Sequence, residues 1–373
     1  MLKCEYFPLC SGCEMQGEVA SPPIWSHVKD FFSRCAPGLS ISLRTAEIVG
    51  WRTRSKLAVR GSATSPQIGL FKKGSHEVVA IPTCPLHHPS INAAYQKVHK
   101  VLIDQKVEPY LEEKGRGIIR YLQFVVDRKT RLVQLAIVVN QRGTDSILED
   151  LVKQLYRMGG FHSIWLNFQP AQTNRIFGEE WVLAEGEPYL WERLGEADCA
   201  FHPACFGQAH LTMYEQALRR IREWVKPNKQ VIELYAGVGS IGLNLAAQSQ
   251  QVSCVEINPY AAESFHLSRL KLPSDMQRKI SIKIASSENA IPMLNNYDVI
   301  IVDPPRKGLE AKVLEEICKS DKASQLIYLS CGPQSFQRDC EQLIAKGWKI
   351  EHAECYLFFP GCDHVEILCS FVK

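Results

Sequence analysis

Apolar and polar positions in the second half of the chain alternate between short β-rich runs and longer stretches with helical periodicity. The apolar runs have the length and the β-branched composition of buried strands. They lie at residues 230–235, 252–256, 280–284, 298–303 and 325–330. This alternation predicts a doubly wound parallel sheet with helices on both faces. Two further runs, at 348–357 and 365–372, are joined by a short connection and predict an antiparallel hairpin.

The first half of the chain has a different pattern. Residues 1–90 are rich in cysteine and proline and contain only short strand-like runs, which predicts a loop-rich segment stabilised by a metal site. Residues 91–205 combine helical stretches with apolar strands near 117–126 and 132–140, which predicts a central α/β domain. The parallel sheet then occupies residues 206–373. The sequence thus predicts three consecutive domains.

The composition excludes several classes of protein. Hydrophobic residues make up 46% of the chain and charged residues 22%, which is typical of a globular protein and not of a disordered one. The longest apolar runs are far shorter than the ~18 residues of a membrane span, and the amino terminus lacks the apolar core of a secretory signal. We therefore expect a cytoplasmic protein without membrane contact, whose 14 cysteines are mostly reduced.

The distribution of charge says more than its sum. A net charge of +3 is too small to indicate a nucleic-acid binder. However, basic residues cluster with aromatic ones between positions 51 and 131, beginning at Trp51 and Arg52. Such a strip is typical of a surface that follows RNA phosphates, and it equally fits an ordinary solvated face.

A glycine-rich loop predicts a nucleotide site. Gly237, Gly239 and Gly242 form a G-x-G-x-x-G pattern between a predicted strand and a predicted helix. Glycines at these positions let the backbone approach a ligand closely, and Glu256 at the end of the next strand can accept both ribose hydroxyls. The ligand of such a loop is either a dinucleotide or S-adenosylmethionine.

Two neighbouring strand ends carry reactive groups. Asp303 ends the fourth predicted strand, before two prolines that stiffen the turn, and Cys331 ends the next strand at the same edge. A thiol there suits covalent catalysis on uracil, because its addition at carbon 6 makes carbon 5 able to attack a sulfonium methyl group. The carbon 5 proton must then pass to a base, and Glu366 at the start of the last strand is the candidate.

Together these motifs resemble the RNA uracil-C5 methyltransferase family, and within it the iron–sulfur branch that acts on 23S ribosomal RNA. The resemblance covers nearly the whole chain. It implies a Rossmann-like domain that uses S-adenosylmethionine, with Cys331 as the nucleophile and Glu366 as the proton-abstracting base. It also implies that the cofactor and the target base are bound by Gln208, Tyr235, Gly237, Gly239, Glu256 and Asp303.

Four cysteines form a candidate metal site. Three of them are closely spaced near the amino terminus and the fourth precedes a proline; they are Cys4, Cys10, Cys13 and Cys84. Four thiolates fit either tetrahedral zinc or a 4Fe–4S cluster. The family resemblance favours the 4Fe–4S cluster, which makes residues 1–90 an iron–sulfur segment and residues 91–205 an RNA-binding domain.

The resemblance further implies a 23S rRNA stem-loop as substrate, in which an unstacked base is reached at low cost, and a monomeric enzyme. No β-barrel precedes Cys4, which favours the short branch of the family. Three positions depart from the family pattern. The usual Thr-x-His before the final glutamate reads Cys362-Asp363-His364, and His210 stands where an asparagine is common. The segment Ala285-Ser286-Ser287-Glu288 stands where the family usually has an acidic residue near the adenine. Three alternatives remain: a tRNA uracil-C5 methyltransferase, a non-catalytic iron–sulfur RNA-binding protein, and a nicotinamide-dependent oxidoreductase.

Overall fold

The structure, a computed structural model, describes residues 2–373. The chain forms two compact units, and each combines two separate segments of sequence. The first unit contains residues 2–19 and Glu47–Glu192, and the second contains Ala20–Ala46 and Arg193–Lys373. Among residues 2–373, no helix combines the length and the apolar character that a membrane crossing requires.

Strands and helices are numbered in chain order. The strands are β1 Leu43–Arg44, β2 Arg54–Ser62, β3 Ser65–Phe71, β4 Val78–Ala80, β5 Ile119–Val126, β6 Val133–Val139, β7 Phe161–Phe168, β8 Glu180–Gly186, β9 Leu190–Leu194, β10 Ala197–Phe201, β11 Gln230–Leu234, β12 Gln251–Glu256, β13 Ile280–Ile284, β14 Val299–Val302, β15 Gln325–Ser330, β16 Lys349–Tyr356 and β17 Glu366–Val372. The helices are α1 Ile24–Cys35, α2 Pro89–Asp104, α3 Ser146–Arg157, α4 Leu211–Trp224, α5 Ser240–Leu245, α6 Pro259–Arg269, α7 Ser274–Lys279, α8 Ala311–Lys319 and α9 Pro333–Ala345. Short 3-10 turns lie at Glu112–Lys114 and Glu288–Asn296.

The first unit is built on one sheet with strand order β4-β3-β2-β5-β6-β7-β8. Neighbouring strands are antiparallel, except that β6 and β7 are parallel and are connected by α3. Apolar side chains of the sheet and of the helices α2 and α3 share one buried core, to which Leu57, Val98, Phe124 and Leu151 belong. The α/β character predicted for residues 91–205 is therefore present, within a larger unit.

This sheet corrects the predicted boundary at residue 90. The strands β2, β3 and β4 precede that boundary, yet β2 pairs with β5, from Arg54↔Val125 to Ala58↔Tyr121. A sheet buries its apolar face only as a whole, so the predicted iron–sulfur segment and most of the predicted central domain fold as one unit. The predicted three-domain division is wrong on this point.

The second unit contains the predicted parallel sheet. Its strand order is β1-β16-β17-β15-β14-β11-β12-β13, and the strands β11 to β15 pair in parallel. The strand β17 runs antiparallel to both β15 and β16, as the predicted terminal hairpin requires. Two large buried clusters of side chains line the two faces of this sheet. The Rossmann-like prediction is confirmed.

An early segment of the chain completes the second unit. The helix α1 buries Val28, Phe31 and Phe32, and the ring of Phe32 lies 6.0 Å from that of Phe336 in α9. The short strand β1 pairs in parallel with β16. Residues 20–46 were assigned to the iron–sulfur segment by the sequence analysis, and the structure moves them into the methyltransferase-like unit. The burial of one apolar helix face against α9 explains this placement.

Candidate active site

The strand register of the second unit brings the predicted site residues to one edge of the sheet. In the parallel ladder Leu234 pairs with both Val255 and Val302. The residues that follow these strands, Tyr235 and Asp303, therefore stand next to Glu256 at the carboxyl edge. Ligands of doubly wound sheets bind at this edge, where the strand order changes direction.

The glycine loop has the backbone that its sequence predicts. Gly237 and Gly239 have φ values of +55° and +75°, in the left-handed region. A Cβ atom at Gly239 would lie 2.4 Å from the ring of Phe265, so only glycine fits there. The Gly237 amide donates a hydrogen bond of 2.8 Å to Glu256 Oε2. The loop and the acidic residue are thus connected by a hydrogen bond.

Glu256 is held in place through both of its oxygens. Its Oε1 atom accepts hydrogen bonds from the backbone amides of Ile257 and Asn258, at 2.9 and 2.8 Å. A carboxylate with this support keeps its orientation before a ligand arrives. The ribose-binding role of Glu256 stays a prediction.

A buried carboxyl group accepts a hydrogen bond from the glycine motif, and the sequence analysis missed this group. Glu233 in β11 is 1% exposed, and its Oε2 accepts a 2.8 Å hydrogen bond from the Gly242 amide and one of 3.3 Å from the Cys254 thiol. Burial raises the pKa of Glu233 to about 8. The available signal was an acidic residue inside an otherwise apolar strand.

Replacing Glu233 with glutamine is expected to flatten the dependence of stability on pH. The folded-state pKa of about 8 lies above the unfolded value of 4.5, so the neutral carboxyl favours folding at low pH and this contribution is lost as pH rises. Between those values the wild type should lose up to about 1.4 kcal/mol per pH unit relative to the variant, whose amide oxygen keeps the two hydrogen bonds. Urea unfolding at pH 5 to 9 measures this difference.

The exposed Glu341→Gln variant is the matched control and should keep the wild-type slope. An equally steep slope in Glu233→Gln would mean that Glu233 is already ionised in the folded protein at low pH.

The thiol and the candidate base stand opposite each other. The antiparallel pairing of β15 with β17 ends at Ser330↔Ile367, so the next step of the ladder sets Cys331 against Glu366. The Sγ atom of Cys331 lies 3.8 Å from the carbonyl oxygen of Pro304, in the turn that follows Asp303. The structure therefore brings together the three reactive groups that the sequence analysis selected.

Burial and like charges favour the protonated forms of these groups. The pKa of Cys331 is raised to about 12 by burial and by the carboxyl groups of Glu366 and Asp303, and Arg306 partly offsets this. Burial raises the pKa of Asp303 to about 7. Glu366 is only 2% exposed, and burial together with Asp303 raises its pKa well above the usual value. Perturbed groups clustered at a strand edge are typical of catalytic sites.

His364 links the nucleophile to the base. Its Nε2 atom lies 2.7 Å from the backbone carbonyl oxygen of Cys331 and 3.9 Å from Glu366 Oε1. Its ring makes an edge-to-face contact with that of Phe359, with 5.1 Å between the ring centres. The sequence analysis noted this histidine only as part of a motif, because the contact to Cys331 depends on the pairing of β15 with β17.

The two remaining predicted binding residues are Gln208 and Tyr235. Gln208 lies half-buried between β10 and α4. Tyr235 has a positive φ of 59°, and its hydroxyl donates a hydrogen bond to Glu310. Glu310 also accepts a hydrogen bond of 3.3 Å from Ser287, so these two residues belong to the same edge and were missed by the sequence analysis.

The four predicted cluster cysteines come together in the first unit. Cys4, Cys10, Cys13 and Cys84 line one cavity of about 190 Å³, together with Arg52 and His87. Burial raises the pKa of both Cys10 and Cys84. Among residues 2–373, no group of three or more His, Cys, Asp or Glu side chains has the close arrangement that a single metal ion needs. Within these residues the structure therefore shows neither the predicted 4Fe–4S cluster nor the zinc alternative.

The fold defines the class of this protein, which has the Rossmann-like α/β fold of S-adenosylmethionine-dependent methyltransferases. Its fold matches that of the Pyrococcus abyssi tRNA (uracil-54, C5)-methyltransferase in complex with S-adenosyl-L-homocysteine, with a TM-score of 0.77 over 98% of this chain and 86% of the other, at 22% identity. The nicotinamide-dependent oxidoreductase alternative finds no support.

Sequence relatives specify the family. An uncharacterised RNA methyltransferase of Protochlamydia amoebophila is 41% identical over 100% of this chain and 98% of its own length. Another, from Synechocystis, is 29% identical over 87% of this chain and 70% of its own length. The tRNA (uracil-5-)-methyltransferase family matches residues 196–371. The chain belongs to the RNA methyltransferase family that the Protochlamydia relative represents.

Proposed function

We propose that the enzyme methylates carbon 5 of one uracil in 23S rRNA through a covalent adduct with Cys331. The observation that carries this proposal is the pairing of β15 with β17, which sets the thiol of Cys331 opposite Glu366 and beside Asp303. This reaction needs a nucleophile, a base and a polar group, and all three lie at the sheet edge that carries the glycine loop.

The proposed reaction assigns one step to each group. The Cys331 thiolate adds to carbon 6 of the uracil, and carbon 5 then takes the methyl group of S-adenosylmethionine, which leaves S-adenosylhomocysteine. Glu366 as a carboxylate removes the carbon 5 proton, the bond between sulfur and carbon 6 breaks, and the thiolate is restored. Glu256 and the backbone of Gly237 and Gly239 hold the cofactor, and Gln208, Tyr235 and Asp303 orient the cofactor and the base.

The first unit is the proposed RNA-binding part. Arg52 stacks over the ring of Trp51 at 4.6 Å, and Lys56 lies 4.6 Å from the ring centre of Phe177. Cations placed on aromatic rings can contact both phosphates and unstacked bases. Binding should therefore weaken steeply as salt is raised. We expect a monomer that acts in the cytoplasm.

The proposed substrate is the 23S rRNA stem-loop that contains uracil 747, the target of the short branch. The alternative is a tRNA, because the fold relative from Pyrococcus abyssi is described as acting on tRNA uracil 54. A third reading, a non-catalytic RNA-binding protein, predicts binding without turnover.

A single experiment separates these readings. The protein, purified without oxygen, is incubated with methyl-labelled S-adenosylmethionine and with unmodified 23S rRNA or tRNA that carries tritium at carbon 5 of uracil. Methyl label in 23S rRNA with matching tritium release supports the proposal, and fragment mapping identifies the base. Turnover on tRNA alone would show that the substrate is tRNA and not 23S rRNA. Binding of both RNAs without turnover would contradict the proposed activity.

We further propose that Cys4, Cys10, Cys13 and Cys84 hold a 4Fe–4S cluster. In such a cluster each thiolate binds a different iron, so its ligands stand farther apart than those of one zinc ion. The placement of all four cysteines around one cavity of the first unit supports this proposal. The cluster would tie the amino-terminal residues to the sheet of the first unit, and no step of uracil methylation needs its electrons.

Replacing Cys84 with serine is expected to remove the cluster and to lower solubility and RNA affinity, while the chemistry of Cys331 changes little. The reason is that the proposed ligands all lie in the first unit, whereas the reactive groups lie in the second. Visible absorption and iron content measure the cluster, and filter binding measures RNA affinity. Cys318→Ser, in the helix α8 of the second unit, is the matched control and should keep the brown colour. A colourless Cys84→Ser protein with normal RNA affinity and turnover would contradict the proposed role.

A further inference from the structure

The helix α1 receives its amino-terminal cap from a residue at the far end of the chain. The backbone amide of Ile24 donates a hydrogen bond of 2.7 Å to Asp363 Oδ1, although the two residues are 339 positions apart. The position before the helix is Pro23, whose side chain offers no cap. The first turn of a helix has unpaired amides and a partial positive charge, and a carboxylate satisfies both.

Asp363 lies in the loop that leads to the candidate base. This loop joins β16 to β17, and the residue after Asp363 is His364, whose Nε2 atom lies 2.7 Å from the carbonyl oxygen of Cys331. Three residues beyond Asp363 comes Glu366, with its Oε1 atom 3.9 Å from the same histidine nitrogen. One short loop therefore contacts the helix, the backbone of the nucleophile and the base.

The helix α1, which Asp363 caps, is held in place by buried aromatic contacts. The helix α1 buries Phe31 and Phe32, whose rings lie 6.2 and 6.0 Å from that of Phe336. Phe336 belongs to α9, which begins at Pro333, two residues after Cys331. The helix that Asp363 caps is thus packed against the helix that starts at the nucleophile. The hydrogen bond from Ile24 therefore ties the loop to a helix that is itself held by buried aromatic contacts.

We propose that Asp363 is a positioning residue, which fixes His364 and Glu366 against Cys331 by capping α1. This inference rests on the proposed function, in which Glu366 removes the carbon 5 proton after methyl transfer. It gives residues 20–46 a part in catalysis, although none of them touches the reacting atoms. It also explains the purpose of an aspartate in the Cys362-Asp363-His364 motif of this chain.

The test separates the proton-removal step from the steps before it. If Asp363→Ala displaces Glu366, the thiol still adds and the methyl group still transfers, but release of the carbon 5 proton slows. We expect methyl-labelled RNA to accumulate as a covalent adduct on a denaturing gel, while completed turnover falls about 10- to 100-fold. Asp363→Asn should restore most of the turnover, because its amide oxygen can still accept the Ile24 hydrogen bond.

The matched control is another aspartate that caps a helix. Asp145 accepts a 2.9 Å hydrogen bond from the Leu148 amide at the start of α3, in the first unit. Asp145→Ala removes a comparable cap and should lower the thermal midpoint similarly, yet it should not cause the adduct to accumulate.

Each of the following outcomes would overturn the inference. If Asp363→Ala turns over as fast as Asp145→Ala, the cap serves stability alone. The same holds if every reaction step of Asp363→Ala slows equally and no adduct accumulates. If the wild-type protein with bound cofactor turns over neither RNA, the proposed function itself fails, and the inference fails with it. If the wild type turns over normally and Asp363→Ala has the same ratio of covalent adduct to released product, only the positioning role is refuted.

Discussion

Cys331→Ala should lose methyl transfer by a factor on the order of 10⁴ or more, with no covalent RNA adduct. The proposed reaction begins with sulfur addition at carbon 6, and alanine offers no nucleophile, so carbon 5 stays unreactive. The variant should still bind S-adenosylhomocysteine, because the glycine loop and Glu256 make their contacts independently of the thiol. Methyl incorporation, tritium release and calorimetric cofactor binding measure the three effects.

The control for this experiment is Cys318→Ala. Cys318 is a partly exposed cysteine of α8 in the same unit, so it tests the effect of losing a thiol as such. Its activity should equal that of the wild type. Residual turnover of Cys331→Ala above about one hundredth of the wild-type rate would contradict the covalent mechanism, because general acid–base groups alone do not supply the missing activation.

The second large effect is expected for Glu366→Gln. An amide cannot accept the carbon 5 proton, so methyl transfer should occur once and then stop, with turnover lowered about 10²- to 10⁴-fold. The methylated adduct should accumulate to nearly one equivalent of enzyme. Rapid-quench measurement of methyl transfer, set against steady-state tritium release, separates the first turnover from the rest.

Glu351→Gln on the neighbouring strand β16 is the matched control, because it makes the same chemical change in the same hairpin away from Cys331. It should turn over normally. If Glu366→Gln instead releases tritium at the wild-type rate, another group removes the proton.

The pH dependence of wild-type turnover follows from the same electrostatics. Burial and neighbouring carboxyl groups raise the pKa of Cys331 to about 12 and that of Glu366 well above its usual value. Both groups act in their deprotonated forms, so turnover should rise from pH 6 to pH 9. The Glu366→Gln variant removes one of the carboxyl groups that raise the pKa of Cys331, so its single-turnover adduct formation should become faster at a given pH than in the wild type.

Local patterns in the sequence determined much of the second unit. Each parallel strand is a short apolar run, and Gly237 and Gly239 stand where the backbone must turn between a strand and a helix. These features depend on neighbouring residues, so they can be derived from sequence. The placement of Glu256, Asp303 and Cys331 at one edge follows as well, because parallel strands present their carboxyl ends together. The roles of Cys331 and Glu366 were reached through the family resemblance and remain proposals.

The tertiary structure alone decided which segments pair over long distances. The pairing of β2 with β5 joins two predicted domains, and the packing of α1 on α9 moves residues 20–46 into the second unit. Neither contact leaves a local signal, because an apolar helix face indicates that it is buried but does not name its partner. The same reason hid the support of the loop by Glu233 and the bond from Ile24 to Asp363. The chain therefore specifies its chemistry locally, and tertiary packing supplies the contacts that hold that chemistry in position.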